Sequence, residues 1–143
     1  MTRVLVVHHD ADMADQEVDS LRRAGFVVQQ CAGPMFGPCP ILAGRPCSAV
    51  DEAEVLVYDV WAGGGSDTGR QLIESLREQH PEIPIVLTAP GMELDWVETS
   101  GLHAVVPLVG IPTGARLRAA VAEALSSVSP LTHSTPAATP AAR

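Results

Sequence analysis

The sequence predicts an α/β domain built on a parallel sheet with helices on both faces, and three observations predict it. Short apolar runs recur along the chain at Val4–Val7, Glu54–Tyr58 and Ile85–Leu87. Runs of this kind, without polar alternation, belong to strands covered on both faces. Between them lie segments whose apolar residues recur at helical spacing, such as Ala14, Val18 and Leu21. Aromatic residues make up only 3% of the chain against 46% hydrophobic residues, so the core must be aliphatic.

The strand at Val4–Val7 comes first, and Asp10 or Asp12 can cap the helix that follows it. Gly25 then stops that helix in the position that favours a left-handed residue. Phe26–Gln30 reads as the second strand. Residues 32–47 break the rhythm, because Pro34, Pro38, Pro40 and Pro46 alternate with Gly33, Gly37 and Gly44. A Cys/Pro/Gly-rich loop is predicted there in place of a second helix. Glu54–Tyr58 is the third strand and ends on Asp59. A Gly-rich turn, Ala62–Gly65, leads to a helix from about Asp67 to Gln79, which buries Leu72, Ile73 and Leu76 and is stopped by Pro81. That turn lacks the G-x-x-x-x-G-K-[ST] pattern of a phosphate cradle and reads as a strand–helix connection. Ile85–Leu87 is the fourth strand, ending at Thr88. A helix at Glu93–Thr99 precedes a short strand at Ala104–Val106. Thr113 caps the last helix, with Leu117, Val121, Ala124 and Leu125 on its buried face.

After Ser126 the sequence becomes SVSPLTHSTPAATPAAR, too poor in apolar bulk to fold. The folded domain is therefore set at residues 1–127, with 128–143 a disordered tail. Strands alternating with helices require right-handed crossovers and a parallel sheet. Five strands at this spacing suit the flavodoxin-like order 2-1-3-4-5, in which ligands sit beyond the carboxyl ends of the strands. The residues there are His8, His9 and Asp10 after the first strand, Asp59 after the third, Thr88 after the fourth, and Pro107 and Leu108 after the fifth.

Charge narrows the function. Seventeen acids against nine Lys plus Arg give a formal charge of −8. Phosphate backbones demand a basic surface, so direct binding of nucleic acid is not expected. No segment approaches the roughly 20 apolar residues that cross a bilayer, and MTRVLVVHHD reads as a buried strand rather than a signal peptide. A cytoplasmic location without membrane attachment is the expectation, and there free or metal-bound thiols are commoner than disulfides.

Over residues 3–126 the chain resembles the receiver domain of bacterial response regulators. VLVVHHD matches the first strand and its acidic end, VLVYD the third strand and the phospho-acceptor, and IVLTA the fourth strand and its hydroxyl residue. The resemblance implies two-component signal transduction, with Asp59 as acceptor carboxylate and Thr88 as the hydroxyl that contacts the phosphoryl oxygens. It also implies an acid pair holding Mg²⁺ and a lysine after the fifth strand. Here the acid pair is replaced by His8 and His9, and the lysine position falls at Leu108, in a stretch, HAVVPLVGIP, without any lysine. Mg²⁺ prefers oxygen ligands, and phosphoryl transfer needs the charge that the metal and the ammonium supply. The expectation is a pseudo-receiver, not an enzyme, that acts by protein–protein interaction and is not phosphorylated by the Mg²⁺-dependent route. The resemblance places the partner surface on Met92–Thr99, Ala104–Val106 and Ala115–Leu125, with Trp61, Trp96, Val105 and Leu108 as candidate contacts and a homodimer as one outcome.

Two clusters leave alternatives open. His8 and His9 with Asp10 and Asp59 suit a transition-metal or proton-sensing site, or are polar filler bonded to Asp59 or to backbone. Adjacent residues leaving a strand point in opposite directions, which disfavours joint ligation. Cys31, Cys39 and Cys47 follow a C-x7-C-x7-C spacing inside the Pro/Gly-rich segment. They read as packed thiols, as a Zn or Fe–S site completed by His80, His103, an acid or another chain, or as a redox pair. No C-x2-C pair is present. No cofactor is expected on the first reading; a metal- or redox-responsive protein is the alternative.

Overall fold

The structure is a computed structural model and describes residues 2–33, 39–60, 66–88, 104–108 and 111–137. Trp61, Trp96, His103, the Gly-rich turn at Ala62–Gly65 and the expected helix at Glu93–Thr99 lie outside the described residues. Five strands, β1 (Arg3–Val7), β2 (Val27–Cys31), β3 (Val55–Asp59), β4 (Ile85–Thr88) and β5 (Val105–Leu108), form one parallel sheet ordered β2-β1-β3-β4-β5. This is the flavodoxin-like order that the spacing of the runs predicts. The described helices are α1 (Ala11–Arg23), α2 (Ser48–Glu52), α3 (Ser66–Gln79) and α4 (Gly114–Ala137).

Period-2 alternation divides the apolar residues between two faces of the sheet. Val4, Val6, Val55, Val57, Val86 and Leu108 pack with Val18 and Leu21 of α1 and Leu117 and Val121 of α4. Leu5, Val7, Leu56, Tyr58, Ile85 and Leu87 pack with Leu72, Ile73 and Leu76 of α3 and Val50 of α2. Pro107 sits in β5 at the sheet edge, where its missing N–H breaks no ladder on the outer side.

Helix ends follow from local chemistry. Asp10 caps α1, its Oδ1 accepting from the backbone N–H of Asp12 at 2.9 Å and of Met13 at 3.1 Å. Gly25 has φ +97°; Gly25 N–H donates to Arg22 O and Phe26 N–H to Leu21 O. These two bonds make a Schellman end, and Phe26 folds back onto the core.

Two expectations change in detail. The predicted loop, residues 32–47, carries a turn over Pro40–Gly44, and the one-turn helix α2 follows directly after it. Beyond Pro46 neither Gly nor Pro interrupts SAVDE, and Val50 anchors the turn in the core. The last helix runs past the boundary expected at residue 127, as far as Ala137. Its core contacts end earlier, at Ala124 and Leu125. The continuation holds Pro130 and Pro136, each of which removes a backbone donor.

One buried cation ties the far end of the sheet together. Arg77, 7% exposed, donates to His80 O at 2.8 Å, to Ala104 O at 3.2 Å and to Ile83 O. Ala104 has φ +58°, a strained region for a residue with a Cβ, and its carbonyl is held by Arg77 and by Ile85 N–H at 2.8 Å.

Candidate functional site

The face of the sheet that packs on α1 and α4 turns polar at its carboxyl edge. Alternation carries Val4 and Val6 to His8, Val55 and Val57 to Asp59, and Val86 to Thr88, with Leu108 next in the row. The strand registers align them: Val7 pairs with Tyr58, Asp59 with Thr88, and Thr88 with Leu108. One step along each strand converts an aliphatic layer into a row of imidazole, carboxylate, hydroxyl and isobutyl groups.

His8 and His9 converge on one carboxylate oxygen. His9 Nδ1 lies 2.6 Å from Asp59 Oδ2 and His8 Nδ1 3.6 Å from the same atom. The two rings stack with centroids 5.1 Å apart at 16°. The expectation that adjacent residues point apart is therefore corrected. β1 ends at Val7, and although His8 N–H still bonds Cys31 O, His9 has left the strand and its alternation. His8 Nδ1 accepts from Asp10 N–H at 3.0 Å, which leaves the ring proton on Nε2. His8 is buried and His9 half-buried. Burial holds His8 below its ordinary 6.5, with Asp59 opposing that shift.

Asp10 belongs to the helix rather than to the pocket. It is exposed, and the backbone N–H of Met13 is the main cause that holds its carboxyl below the usual range. Leu108 is 7% exposed and packs in the core beside Thr88, so it is not part of a free surface. Val105 is half-buried against the opposite core. Thr88 Oγ1 is fully buried and makes no hydrogen bond among the described residues.

The residue that sequence reasoning missed is Glu17. It comes from the buried face of α1, is 4% exposed, and neither carboxylate oxygen has a hydrogen-bond partner among the described residues. Its nearest cation-forming neighbour is His8, with Nε2 3.6 Å from Oε2. Burial, reinforced by the Asp59 charge, pushes the Glu17 carboxyl up to about 7. The signal was available in the spacing, because residues 14, 17, 18 and 21 form one helical stripe.

The cysteines gather elsewhere. Cys31 is exposed at the end of β2, Cys39 and Cys47 are half-buried, and none is in a disulfide. All three line one cavity of about 80 Å³ on the α3 side of the sheet, together with Leu5, Ile41 and Tyr58. The Tyr58 hydroxyl is buried there without a hydrogen bond among the described residues, and burial raises its pKa. His80, considered as a further ligand, pairs with Asp51 at 3.2 Å. Among the described residues, the group whose ligand atoms all lie within 4.8 Å of one another is His8, His9 and Asp59, not the three thiols.

No family model matches the chain, and no curated protein does. Solved structures do match. A response regulator receiver domain protein from Clostridium thermocellum is 15% identical with a TM-score of 0.73, over 92% of this chain and 99% of that one. The chemotaxis protein CheY4 of Vibrio cholerae is 20% identical with a TM-score of 0.68, over 87% of this chain and 99% of its own. NtrX from Brucella abortus, solved with ADP, is 21% identical with a TM-score of 0.72; the match covers 94% of this chain and 29% of NtrX.

Proposed function

We propose that this chain, whose fold is that of response-regulator receiver domains, is a non-catalytic signalling module that acts by binding a protein and is not phosphorylated at Asp59 by the Mg²⁺-dependent route. One observation carries the reading: the Asp59 carboxylate, 1% exposed, is engaged by His9 at 2.6 Å and flanked by His8 at 3.6 Å. Those imidazoles stand where the resemblance requires the acids that hold Mg²⁺, a hard ion that favours oxygen. Leu108 fills the row where a lysine ammonium would meet the phosphoryl oxygens, so the charge developed in transfer meets no cation from that position.

Output then runs through a surface. The edge strand β5 with α4 is the favoured face, since Val105 and Val106 are half-buried and Ile111 is 70% exposed beside them in sequence. The formal charge of −8 favours a protein partner, or a second copy of the chain, over nucleic acid. Among the described residues no helix is long and apolar enough to cross a membrane. Incubation with acetyl phosphate and Mg²⁺ should leave the intact mass unchanged. A gain of one phosphoryl group that disappears in Asp59→Asn, with that variant folded by circular dichroism, overturns the reading.

A second reading, a metal- or redox-responsive cysteine loop, is favoured by the cavity that Cys31, Cys39 and Cys47 share. Near-stoichiometric zinc or iron in anaerobically purified protein, lost in Cys39→Ser, is the result that selects it.

A further inference from the structure

Two carboxyl groups, Asp59 and Glu17, are buried at 1% and 4% exposure on either side of the His8 ring. His8 lies 3.6 Å from Glu17 Oε2 on one side and 3.6 Å from Asp59 Oδ2 on the other. Buried charge of this kind is costly unless a cation compensates it. From the convergence of His8 Nδ1, His9 Nδ1 and Asp59 Oδ2, we infer that this pocket binds a divalent transition cation of the Zn²⁺ class, with Glu17 orienting His8 from behind.

The geometry fits such an ion. Ligand atoms about 2 Å from a tetrahedral ion lie roughly 3.3 Å from one another. The separations of 2.6 Å and 3.6 Å to Asp59 Oδ2 bracket that value, and all three ligand atoms lie within 4.8 Å. Small rotations of two side chains therefore complete three corners of a tetrahedron. His9 is half-buried, and the fourth corner is left for water or a partner's ligand. Ligation through His8 Nδ1 releases the bond from Asp10 N–H, which is affordable because Asp10 lies at the exposed start of α1.

The donor set selects the ion. Two imidazoles and one carboxylate suit Zn, Cu, Ni or Co better than Mg or Ca. A ligating histidine usually gives its remaining N–H to a carboxylate, and His8 Nε2 already faces Glu17 Oε2, an oxygen with no hydrogen-bond partner among the described residues.

This inference rests on the proposed function in one respect, that Asp59 serves as a ligand rather than as a phosphoryl acceptor; its test is separate. Chelator-stripped protein is titrated with Co²⁺ and with Zn²⁺ in competition with a chromophoric chelator. The expected result is one ion per chain, visible d–d bands for Co²⁺, and no thiolate charge-transfer band. Binding should persist in the triple variant Cys31→Ser, Cys39→Ser, Cys47→Ser and be lost in His9→Gln, whose half-buried position spares the fold. Glu17→Gln should weaken binding about 10–100-fold while leaving the stoichiometry at one. Absence of stoichiometric binding overturns the inference, as does binding that survives His9→Gln or vanishes in the triple cysteine variant. None of these results reports on phosphorylation, and the acetyl phosphate experiment reports on nothing else.

Discussion

Replacing Glu17 by Gln should change how stability depends on pH, and the size of the change follows from its burial. The Glu17 carboxyl binds its proton more tightly in the folded chain, at about 7 against an ordinary 4.5, because burial and the Asp59 charge oppose ionisation. Its contribution to stability is complete below pH 4.5 and is lost as pH rises through 7. At about 1.36 kcal/mol for each tenfold change in proton affinity, ionising it costs the fold roughly 3 kcal/mol by pH 8. For a chain of this length that corresponds to a Tm lower by roughly 10 °C. His8 works in the opposite direction. Its folded pKa lies below 6.5, so its contribution is present above 6.5 and is lost as pH falls. The two slopes overlap below pH 6.5, and only the difference between the natural chain and Glu17→Gln isolates Glu17. Urea denaturation from pH 4.5 to 8, in chelator so that no ion neutralises the carboxylate, measures it. The stability difference between the two proteins should shift by about 2–3 kcal/mol across that range, in favour of Glu17→Gln at high pH. Parallel curves would mean that water reaches Glu17 in solution and that its proton affinity is unchanged by folding.

Three further outcomes are expected. Arg77→Met should lower stability by about 2–4 kcal/mol in urea, because three carbonyls lose a buried charged donor; a loss under 1 kcal/mol would show that water replaces the guanidinium. Maleimide labelling followed by mass mapping should modify exposed Cys31 before half-buried Cys39 and Cys47, and equal rates would mean that the cavity opens freely. Removing residues 129–143 should move Tm by no more than about 2 °C, since the packed face of α4 ends at Leu125; a larger fall would show that the distal helix docks on the domain.

How much of this was legible depended on whether one element or several decided the outcome. The strands were legible because a β-branched run such as Val4–Val7 is short, apolar and covered on both faces, and the order 2-1-3-4-5 follows from alternation and handedness. The pocket row was legible too, since strand ends fix it. His9 meeting Asp59 was not, because the strand rule applies only up to Val7 and the turn beyond it is set by the Asp10 cap. Glu17 stayed hidden for a different reason. Glu17 in ADMADQEVDSLRR reads as solvated among three Asp neighbours and two arginines, and only the position of α1 on the sheet buries it. The length of α4 was missed because the absence of apolar bulk argues against packing, not against continued helical hydrogen bonding.

Occupancy of the pocket by a phosphoryl mimic separates a pseudo-receiver from a working receiver. In metal-free protein given Mg²⁺ and then beryllium fluoride, amide NMR signals of Asp59, Thr88 and their neighbours should not move. A variant carrying His8→Asp, His9→Asp and Leu108→Lys supplies the missing acids and ammonium, and its signals should shift and saturate. Saturable shifts at Asp59 and Thr88 in the natural chain would contradict the account, since they require the Mg²⁺ and phosphoryl contacts that His8, His9 and Leu108 are held to have removed.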